Sequence, residues 1–321
     1  MNKLAGIAFA TAFVLTSCGG GGGGGGGVAS VGVVPTPTVV TGTAAKGIIK
    51  QASVLACRIV NGAPEPDASC ATSTTGNDGS YMVTFADGYI GPAMIKIMAG
   101  TASMMTDETT GTDIPYNMTM RAVIPSVSGT TTAYVTPFSE MAASAASLNT
   151  INATNITQAI VAVQTAMASL GIDMTVMPMI DLKDNGSDSA KLAMQSNMVK
   201  QLSRVVMAAK NSSLLKDGNG VACNAAGTTV SQQIACAVTA MAGVMNSNST
   251  TDPTKIANMM AALNAQNVTN ISMPVLKADG TTVMQLADMT SLASMQTAMQ
   301  TAGISASNAS TMASAMMGGM R

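Results

Sequence analysis

Histidine is absent from this chain of 321 residues. Without an imidazole the chain cannot assemble a Ser-His-Asp or Cys-His catalytic centre, because histidine carries the proton in both. It also cannot form the histidine-ligated sites that commonly hold zinc, copper or haem. These exclusions remove much of enzyme chemistry, so the sequence predicts a protein that is not an enzyme and carries no cofactor.

Aromatic and charged residues are scarce. Tryptophan is absent, aromatic residues make up 2% of the chain, and charged residues make up 10% with a formal net charge of -1. Nucleic-acid binding needs a basic stripe, so nucleic acid is not expected as a partner. Glutamate occurs only as Glu65, Glu108 and Glu140, which form no recognisable carboxylate pair for glycoside hydrolysis.

Long apolar runs are also missing after the N-terminus, where no segment reaches the ~20 residues of a transmembrane helix. The N-terminus itself has Lys3, then an apolar stretch over residues 4–15, which is too short to span a bilayer. Thr16-Ser17-Cys18 and nine consecutive glycines follow. This order resembles the signal peptide and lipobox of a bacterial lipoprotein precursor.

The lipoprotein resemblance implies that residues 1–17 are a signal peptide and that Cys18 becomes a lipidated N-terminus carrying palmitate-type acyl chains. These chains would make the lipid bilayer a partner, at ~0.8 kcal/mol per buried CH₂. Gly19 replaces the Asp that retains such proteins at the inner membrane, so the resemblance implies a lipid anchor in the outer membrane, on its periplasmic face or at the cell surface. Residues 18–41, rich in Gly and Pro, are predicted to form a flexible tether.

Four cysteines remain once Cys18 is set aside: Cys57, Cys70, Cys223 and Cys236. Because an exported chain is oxidised, we expect two disulfides. Three connectivities are open. Pairing Cys57 with Cys70 and Cys223 with Cys236 is favoured, because each bond then lies within one predicted domain. The alternative, a four-thiolate metal site, lacks the usual C-x-x-C spacing.

The segment 42–135 is rich in Thr, Val, Ile and Gly, with turn signals at short spacing, which is typical of an all-β region. Strands are predicted at residues 48–49, 53–60, 81–85, 92–98, 116–124 and 130–135. Asp78 and Asp87 lie in turns of this region. We weigh calcium ligation by them against the ordinary use of Asp in turns, which is favoured.

Three short motifs in this β region carry a second resemblance: Ala45-Lys46-Gly47-Ile48, Ala52-Ser53-Val54 and Asn77-Asp78-Gly79-Ser80-Tyr81. They are similar to motifs of carboxypeptidase-regulatory-like, or transthyretin-like, domains. In that family a glycine opens the first strand and an Asp-containing turn precedes a core strand. The resemblance implies a small, non-catalytic β-sandwich over residues 42–135.

After residue 135 the apolar period changes from 2 to 3.6, which predicts a Met-rich, all-α helical domain over residues 136–321. Thr136 is expected to cap the first helix, with Pro137 at its first position. Further helices are predicted at 156–170, 187–210, 230–245, after Asp252, at about 290–303 and at 307–317, with a small hairpin at 272–284. The predicted fold class is multidomain α+β, an N-terminal small β-sandwich followed by an all-α domain.

The 29 methionines raise the hypothesis of a Cu(I) site, since thioether sulfur suits that ion. Methionines cluster at Met104-Met105, Met118 with Met120, Met177 with Met179, and Met316-Met317 with Met320. The favoured alternative is that Met fills inward helix faces in place of Leu. Acidic loops at 181–188 and 216–220 are weighed as calcium sites, but neither has EF-hand spacing.

The sequence therefore predicts a membrane-anchored, exported lipoprotein with a non-catalytic binding or structural role at the cell envelope. Its expected partner, besides the bilayer, is an envelope or extracellular protein. The alternative is a Met-based Cu(I) carrier or a carrier of an apolar ligand.

Overall fold

A computed structural model describes residues 35–168, 180–181, 189–245, 250–268, 270–276, 282–288, 291–301 and 303–318. Cys18, the signal peptide and the glycine run lie outside the described residues, as do Met177, Met179 and Met320. Within the described residues, eleven strands precede the first of seven α-helices, and three more strands lie among the helices. The fold is mixed α/β.

One sheet has three strands in the order β11-β1-β6, where β1 runs parallel to β11 and antiparallel to β6. Its strands are β1 (Thr38–Ala44), β6 (Ser80–Phe85) and β11 (Thr130–Val135). β1 begins inside the predicted tether 18–41, so residues 38–41 are strand rather than tether. Thr38 and Val40 are buried there, and their β-branched side chains suit a strand once neighbouring strands cover them.

A second sheet has the order β10-β7-β3-β4, and β5 also pairs with β3. Its elements are β3 (Ser53–Val60), β4 (Ala63–Pro64), β5 (Ala71–Thr74), β7 (Gly91–Met98) and β10 (Thr119–Val127), with a short 3₁₀ helix, η1 (Asp67–Ser69), before β5. The prediction for residues 116–124 started three residues too early. Tyr116 is buried outside the strand, and its hydroxyl donates to the Ile97 carbonyl.

A third, small sheet joins β2 (Ile49–Lys50), β8 (Met104–Thr106) and β9 (Asp113–Pro115) in that order. β8 and β9 were not predicted from sequence. Each has only three residues, too few to show a period of two.

The helices are α1 (Pro137–Ser147), α2 (Ala153–Met167), α3 (Ser189–Asn211), α4 (Val230–Ala242), α5 (Pro253–Asn264), α6 (Leu292–Thr301) and α7 (Ala306–Gly318). The predicted caps are confirmed where they are described. Thr136 accepts from the Ser139 N–H with Pro137 in the first turn, and Asp252 caps α5. Local hydrogen bonding decides these positions, so sequence alone located them.

The C-terminal region is not purely helical. It contains β12 (Ile180–Asp181), β13 (Asn270–Leu276) and β14 (Thr282–Asp288), in which β13 and β14 pair antiparallel and β12 runs parallel to β13. The predicted hairpin at 272–284 is confirmed, with longer arms. The description of this region as all-α is not confirmed, because a hairpin with a parallel neighbour is a sheet.

Strands and helices share most of the core. One apolar cluster runs from Val40 in β1 through Phe138 in α1 to Leu263 in α5. A second, smaller cluster joins α3, α6 and α7 and is rich in methionine. α1 packs directly on β10, so burial in the β region depends on the first helix. Among the helices described, none combines the length and apolar character needed to cross a membrane.

Candidate functional site

The candidate site lies on the face of the β10-β7-β3 sheet opposite to the one that Ile95 and Ile97 occupy, where α1 covers part of β10. Along β7, Ile95 and Ile97 are fully buried, and Lys96 between them points to the opposite face. Lys96 lies directly opposite Arg121 of β10 in the antiparallel register. Like charges in that position destabilise a sheet, so this face needs carboxylates to compensate them.

The first carboxylate comes from η1. Asp67 Oδ1 lies 2.5 Å from Lys96 Nζ, and the Asp67 side chain is 51% exposed. η1 is tied to the sheet beside this contact, because the Cys57–Cys70 disulfide joins β3 to the residue that follows Ser69. The disulfide, three residues from Asp67, thus holds the backbone of η1 near Lys96 and leaves the Asp67 side chain free to change conformation.

The second carboxylate comes from the first turn of α1. Glu140 Oε1 accepts from Arg121 Nε at 3.0 Å and from Nη2 at 2.5 Å, and Oε2 accepts from the Arg121 backbone N–H at 2.6 Å. Ser139 Oγ also donates to the Arg121 carbonyl at 2.9 Å. Burial raises the pKa of Glu140 above its usual value, although Arg121 acts to lower it. These contacts dock the N-terminus of α1 onto β10.

A cleft of about 610 Å³ opens over these charges. This volume falls in the ~300–1,000 Å³ range of small-molecule sites. Its polar lining includes Asp67, Lys96, Arg121, Glu140 and Ser147, while Pro64, Met98 and Ile151 supply apolar wall. The cleft therefore combines charged and apolar side chains in its lining.

The chemistry of the cleft suits binding. Glu140, whose pKa is raised, has both carboxylate oxygens engaged by Arg121, so it is poorly placed to give a proton to a ligand. Lys96 and Arg121 are donors with N–H groups in excess of their partners. The cleft therefore offers hydrogen-bond donors that are partly shielded from water, and charged donors of this kind bind anionic groups strongly.

A second set of charges is buried beside the small sheet. Lys46 Nζ lies 2.8 Å from Glu108 Oε2, and both side chains are buried. Burial raises the pKa of Glu108, although Lys46 acts to lower it, and Glu108 Oε1 has no hydrogen-bond partner within the described part of the chain. Gly47 has φ +68°, and a Cβ there would lie 1.8 Å from the Thr106 carbonyl oxygen. Only glycine fits after Lys46, which explains the Lys-Gly pair physically.

Asp107, next to Glu108, links this sheet to α3. Its Oδ2 accepts from Lys210 Nζ at 2.6 Å, and its Oδ1 accepts from Thr109 Oγ1 at 2.6 Å. Burial acts to raise the pKa of Asp107, but the hydrogen bonds from Lys210 and Thr109 outweigh it, and the pKa lies below its usual value. Glu108 thus links the small sheet to the turn between β1 and β2, and Asp107 links it to α3.

An apolar groove of about 410 Å³ lies between β10, β11, α1 and α2. Val123, Ile124, Ala142 and Ile160 are among its lining residues. A carrier of an apolar ligand, the alternative function weighed from the sequence, would need such a groove. The groove forms where strands meet helices, because α1 and α2 leave part of β10 uncovered.

The four cysteines form the two predicted disulfides. The Cα atoms of Cys57 and Cys70 are 4.5 Å apart, and those of Cys223 and Cys236 are 5.4 Å apart. In the described residues one group of side chains has metal-ligand spacing, namely Cys57, Asp67 and Cys70. Both of its sulfur atoms are already bonded to each other. Cys18 lies outside the described residues, and its lipidation stays a prediction.

Among the described residues, the methionines of the predicted clusters are buried or half-buried. Met105, Met120 and Met316 are fully buried core residues. Met104 and Met118 are half-buried. Residues one apart on a strand point to opposite faces, which separates Met104 from Met105. Met105, Met120 and Met316 belong to the core clusters, and Met118 packs against one of them.

The aspartates considered as calcium ligands already have protein partners. Asp78 Oδ1 accepts from the Ser80 N–H and hydroxyl, and Asp87 pairs with Arg58 at 2.8 Å. In the loop at 216–220, Asp217 Oδ1 accepts from two backbone N–H groups and so closes a turn. Most of the loop at 181–188 lies outside the described residues.

Sequence reasoning missed the cleft. Its signal was present: Lys96 and Arg121 are single charges inside otherwise apolar strands, at Met94-Ile95-Lys96-Ile97 and Met120-Arg121-Ala122. A charge is rarely buried without a partner, so a single charge in such a run indicates a position with a specific partner or access to solvent. That the two lie opposite each other follows from strand register, which the sequence did not supply.

The assignment of this cleft as the candidate site rests on the geometry of this chain alone. Lys96 and Arg121 form the floor, and Asp67 and Glu140 compensate them. Comparison of the chain with protein-family models, with curated proteins and with solved structures found no match.

Proposed function

We propose that this chain is an exported lipoprotein, anchored in the outer membrane by acyl chains on Cys18, with a non-catalytic binding or structural role at the cell envelope. The observation that carries the proposal is the cysteine arrangement. All four cysteines of the described residues are consumed in disulfides, which persist in oxidising compartments. Cys18 is the fifth, and it follows an apolar segment typical of a signal peptide.

The β region is proposed to be a transthyretin-like accessory sandwich. Three features support this: the β11-β1-β6 and β10-β7-β3 sheets contribute to one core, Tyr81, Val83 and Phe85 alternate inward along β6, and the Tyr81 hydroxyl donates to the Ala133 carbonyl at 2.7 Å. In this proposal the sandwich is a scaffold. The cleft over Lys96 and Arg121 is its binding surface.

Replacement of Cys18 tests the anchor. In cells fed labelled palmitate, the full-length protein is expected to take up label and to fractionate with the outer membrane. The Cys18→Ser variant should take up no label and should be missing from the outer-membrane fraction. The Cys57→Ser/Cys70→Ser variant is the matched control and should still be labelled. If Cys18→Ser remained in the membrane at the same size as the parent protein, the anchor would be wrong.

The apolar groove supports one of the two alternative functions, that of a carrier of an apolar ligand. An uncharged dye such as N-phenylnaphthylamine should then bind, and Ile160→Gln should weaken the binding. Val161→Gln is the control, because Val161 is the neighbouring residue and is 53% exposed. Equal dye binding by both variants would count against a ligand in the groove.

A further inference from the structure

The floor of the cleft has more hydrogen-bond donors than its partners use. The Lys96 ammonium has three N–H bonds, and one of them reaches Asp67. The Arg121 guanidinium has five, and its Nη1 group has only a long contact of 3.4 Å to Ser147 Oγ. Both side chains are partly open to the cleft, at 18% and 27% exposure. The unused N–H groups can therefore reach a ligand.

The two carboxylates differ in how firmly they are held. Glu140 is 8% exposed and accepts several hydrogen bonds from Arg121, so it is fixed. Asp67 is 51% exposed and bonds Lys96 through one oxygen. Exposed ion pairs contribute little because water competes for both partners. Asp67 is thus the exchangeable counter-charge, and Glu140 is a structural one.

If Asp67 moves away, two cations face one carboxylate, and the floor carries a single excess positive charge. A monoanion balances that charge, whereas a dianion such as a phosphate monoester overcompensates it. Lys96 already holds a carboxylate oxygen at 2.5 Å, which shows that this position accepts carboxylate geometry. The apolar wall at Met98 and Ile151 would contact the rest of the ligand.

We infer that the cleft binds a monocarboxylate, from a small organic acid or from the C-terminus of a peptide chain, which displaces Asp67 from Lys96 and takes a second hydrogen bond from Arg121 Nη1. The inference rests on the proposed function only in taking the cleft as the binding surface. It holds whether or not Cys18 is lipidated.

The test is isothermal titration calorimetry on the full-length protein in a mild non-ionic detergent. The probes are butyrate, N-acetyl-tetraalanine with a free C-terminus, the same peptide amidated, and inorganic phosphate. Butyrate or the free-acid peptide is expected to bind, the amidated peptide is not, and phosphate should bind more weakly. The preferred probe of the first two identifies the source of the carboxylate.

Variants separate this site from general charge attraction. Lys96→Gln should weaken binding about tenfold, the effect of one lost charged hydrogen bond. Asp67→Asn should strengthen it, because the competing carboxylate is gone. Lys50→Gln is the matched control: Lys50 also pairs with an aspartate, Asp113, at 2.8 Å but lies on another sheet, so binding should not change.

Arg121→Gln would leave Glu140 buried without its partner and could unfold the protein. Arg121→Lys keeps that charge pair and removes Nη1, so it should weaken binding while the melting temperature stays close to that of the parent. The inference is overturned if none of the carboxylate probes binds, if the amidated peptide binds as well as the free acid, or if Asp67→Asn and Lys96→Gln bind like the parent. Palmitate labelling of Cys18 is unaffected by these results, so the two proposals fail separately.

Discussion

The strand region and the helical region treat buried charge differently. Around the sheets, Lys46 pairs with Glu108 and Arg121 with Glu140, so each cation has a carboxylate. In α3, Lys200 is 1% exposed and its Nζ donates to the Met316 carbonyl at 2.6 Å. Arg204, one turn later, is 9% exposed and its Nη1 donates to Gln201 at 3.4 Å. Among the described residues, neither has a carboxylate partner.

This difference shows two ways of keeping a charge inside a protein. A carboxylate compensates the charge, and because the partners come from distant segments, the pair also joins those segments. A carbonyl satisfies an N–H without neutralising it. Burial and the nearby charge of Arg204 accordingly lower the pKa of Lys200 to about 8. The first arrangement makes the fold depend on two residues at once, and the second makes stability depend on pH in the alkaline range, where Lys200 titrates.

Breaking the Lys46–Glu108 pair should have the largest effect. Glu108→Ala leaves a buried ammonium uncompensated and is expected to cost ~3–5 kcal/mol in the free energy of unfolding, measured in urea at pH 7. The double variant Lys46→Met/Glu108→Leu should recover most of this loss, because no lone charge remains. Lys50→Ala, which breaks an exposed pair, should cost ~0–1 kcal/mol. A cost for Glu108→Ala as small as that of Lys50→Ala would contradict the comparison.

The two disulfides allow the stability of the two regions to be compared directly, since both link cysteines 13 residues apart. The chain-entropy model gives the same contribution for each, ~3 kcal/mol. We expect Cys57→Ala/Cys70→Ala to cost more than Cys223→Ala/Cys236→Ala in urea unfolding, because Cys57 and Cys70 are both buried and pack with Leu55, whereas Cys236 is half-buried. Equal losses would mean that loop closure alone sets the effect.

The Lys210–Asp107 ion pair joins the helical region to the strand region. Lys210→Gln should lower the free energy of unfolding by ~1.5–3 kcal/mol, the range for a charged hydrogen bond. The pKa of Asp107 is lowered by folding, so its contribution is present above the unfolded value of ~3.9 and is lost as pH falls through the folded value. Unfolding followed from pH 6 to pH 2 should therefore show a shallower acid loss in Lys210→Gln. An unchanged acid profile would mean that the bridge contributes little.

Replacement of Lys200 should have the smallest effect, which appears as a change in the slope of the unfolding free energy against pH. Its folded pKa of about 8 lies below the unfolded value of ~10.4, so the unfolded state binds more protons and stability rises with pH between these values. The gain from pH 7.5 to 9.5 should be on the order of 1 kcal/mol. Lys200→Met is expected to flatten this slope in thermal melts. Persistence of the slope in that variant would assign it to another group.

Local elements were largely predictable from sequence. The strand at 53–60 and the helix starting at 230 coincide with β3 and α4, because alternation and capping act within a few residues. β1 was not predicted as a strand, and its first four residues were placed in the tether, since nothing near Thr38 in the sequence reveals that β6 and β11 cover it. Short strands such as β8 carry no period and depend on their neighbours.

The sequence by itself determined which residue types were available, where three helices begin (after Thr136, at Val230 and after Asp252) and that four cysteines remain for two disulfides. It also placed Cys18 where a lipid anchor is predicted. Only the tertiary structure decided that Lys46 meets Glu108, 62 residues away, and that Lys96 faces Arg121 across a strand pair. The physical reason is that helix caps and alternation depend on neighbours along the chain, whereas register and burial depend on which distant segments pack together.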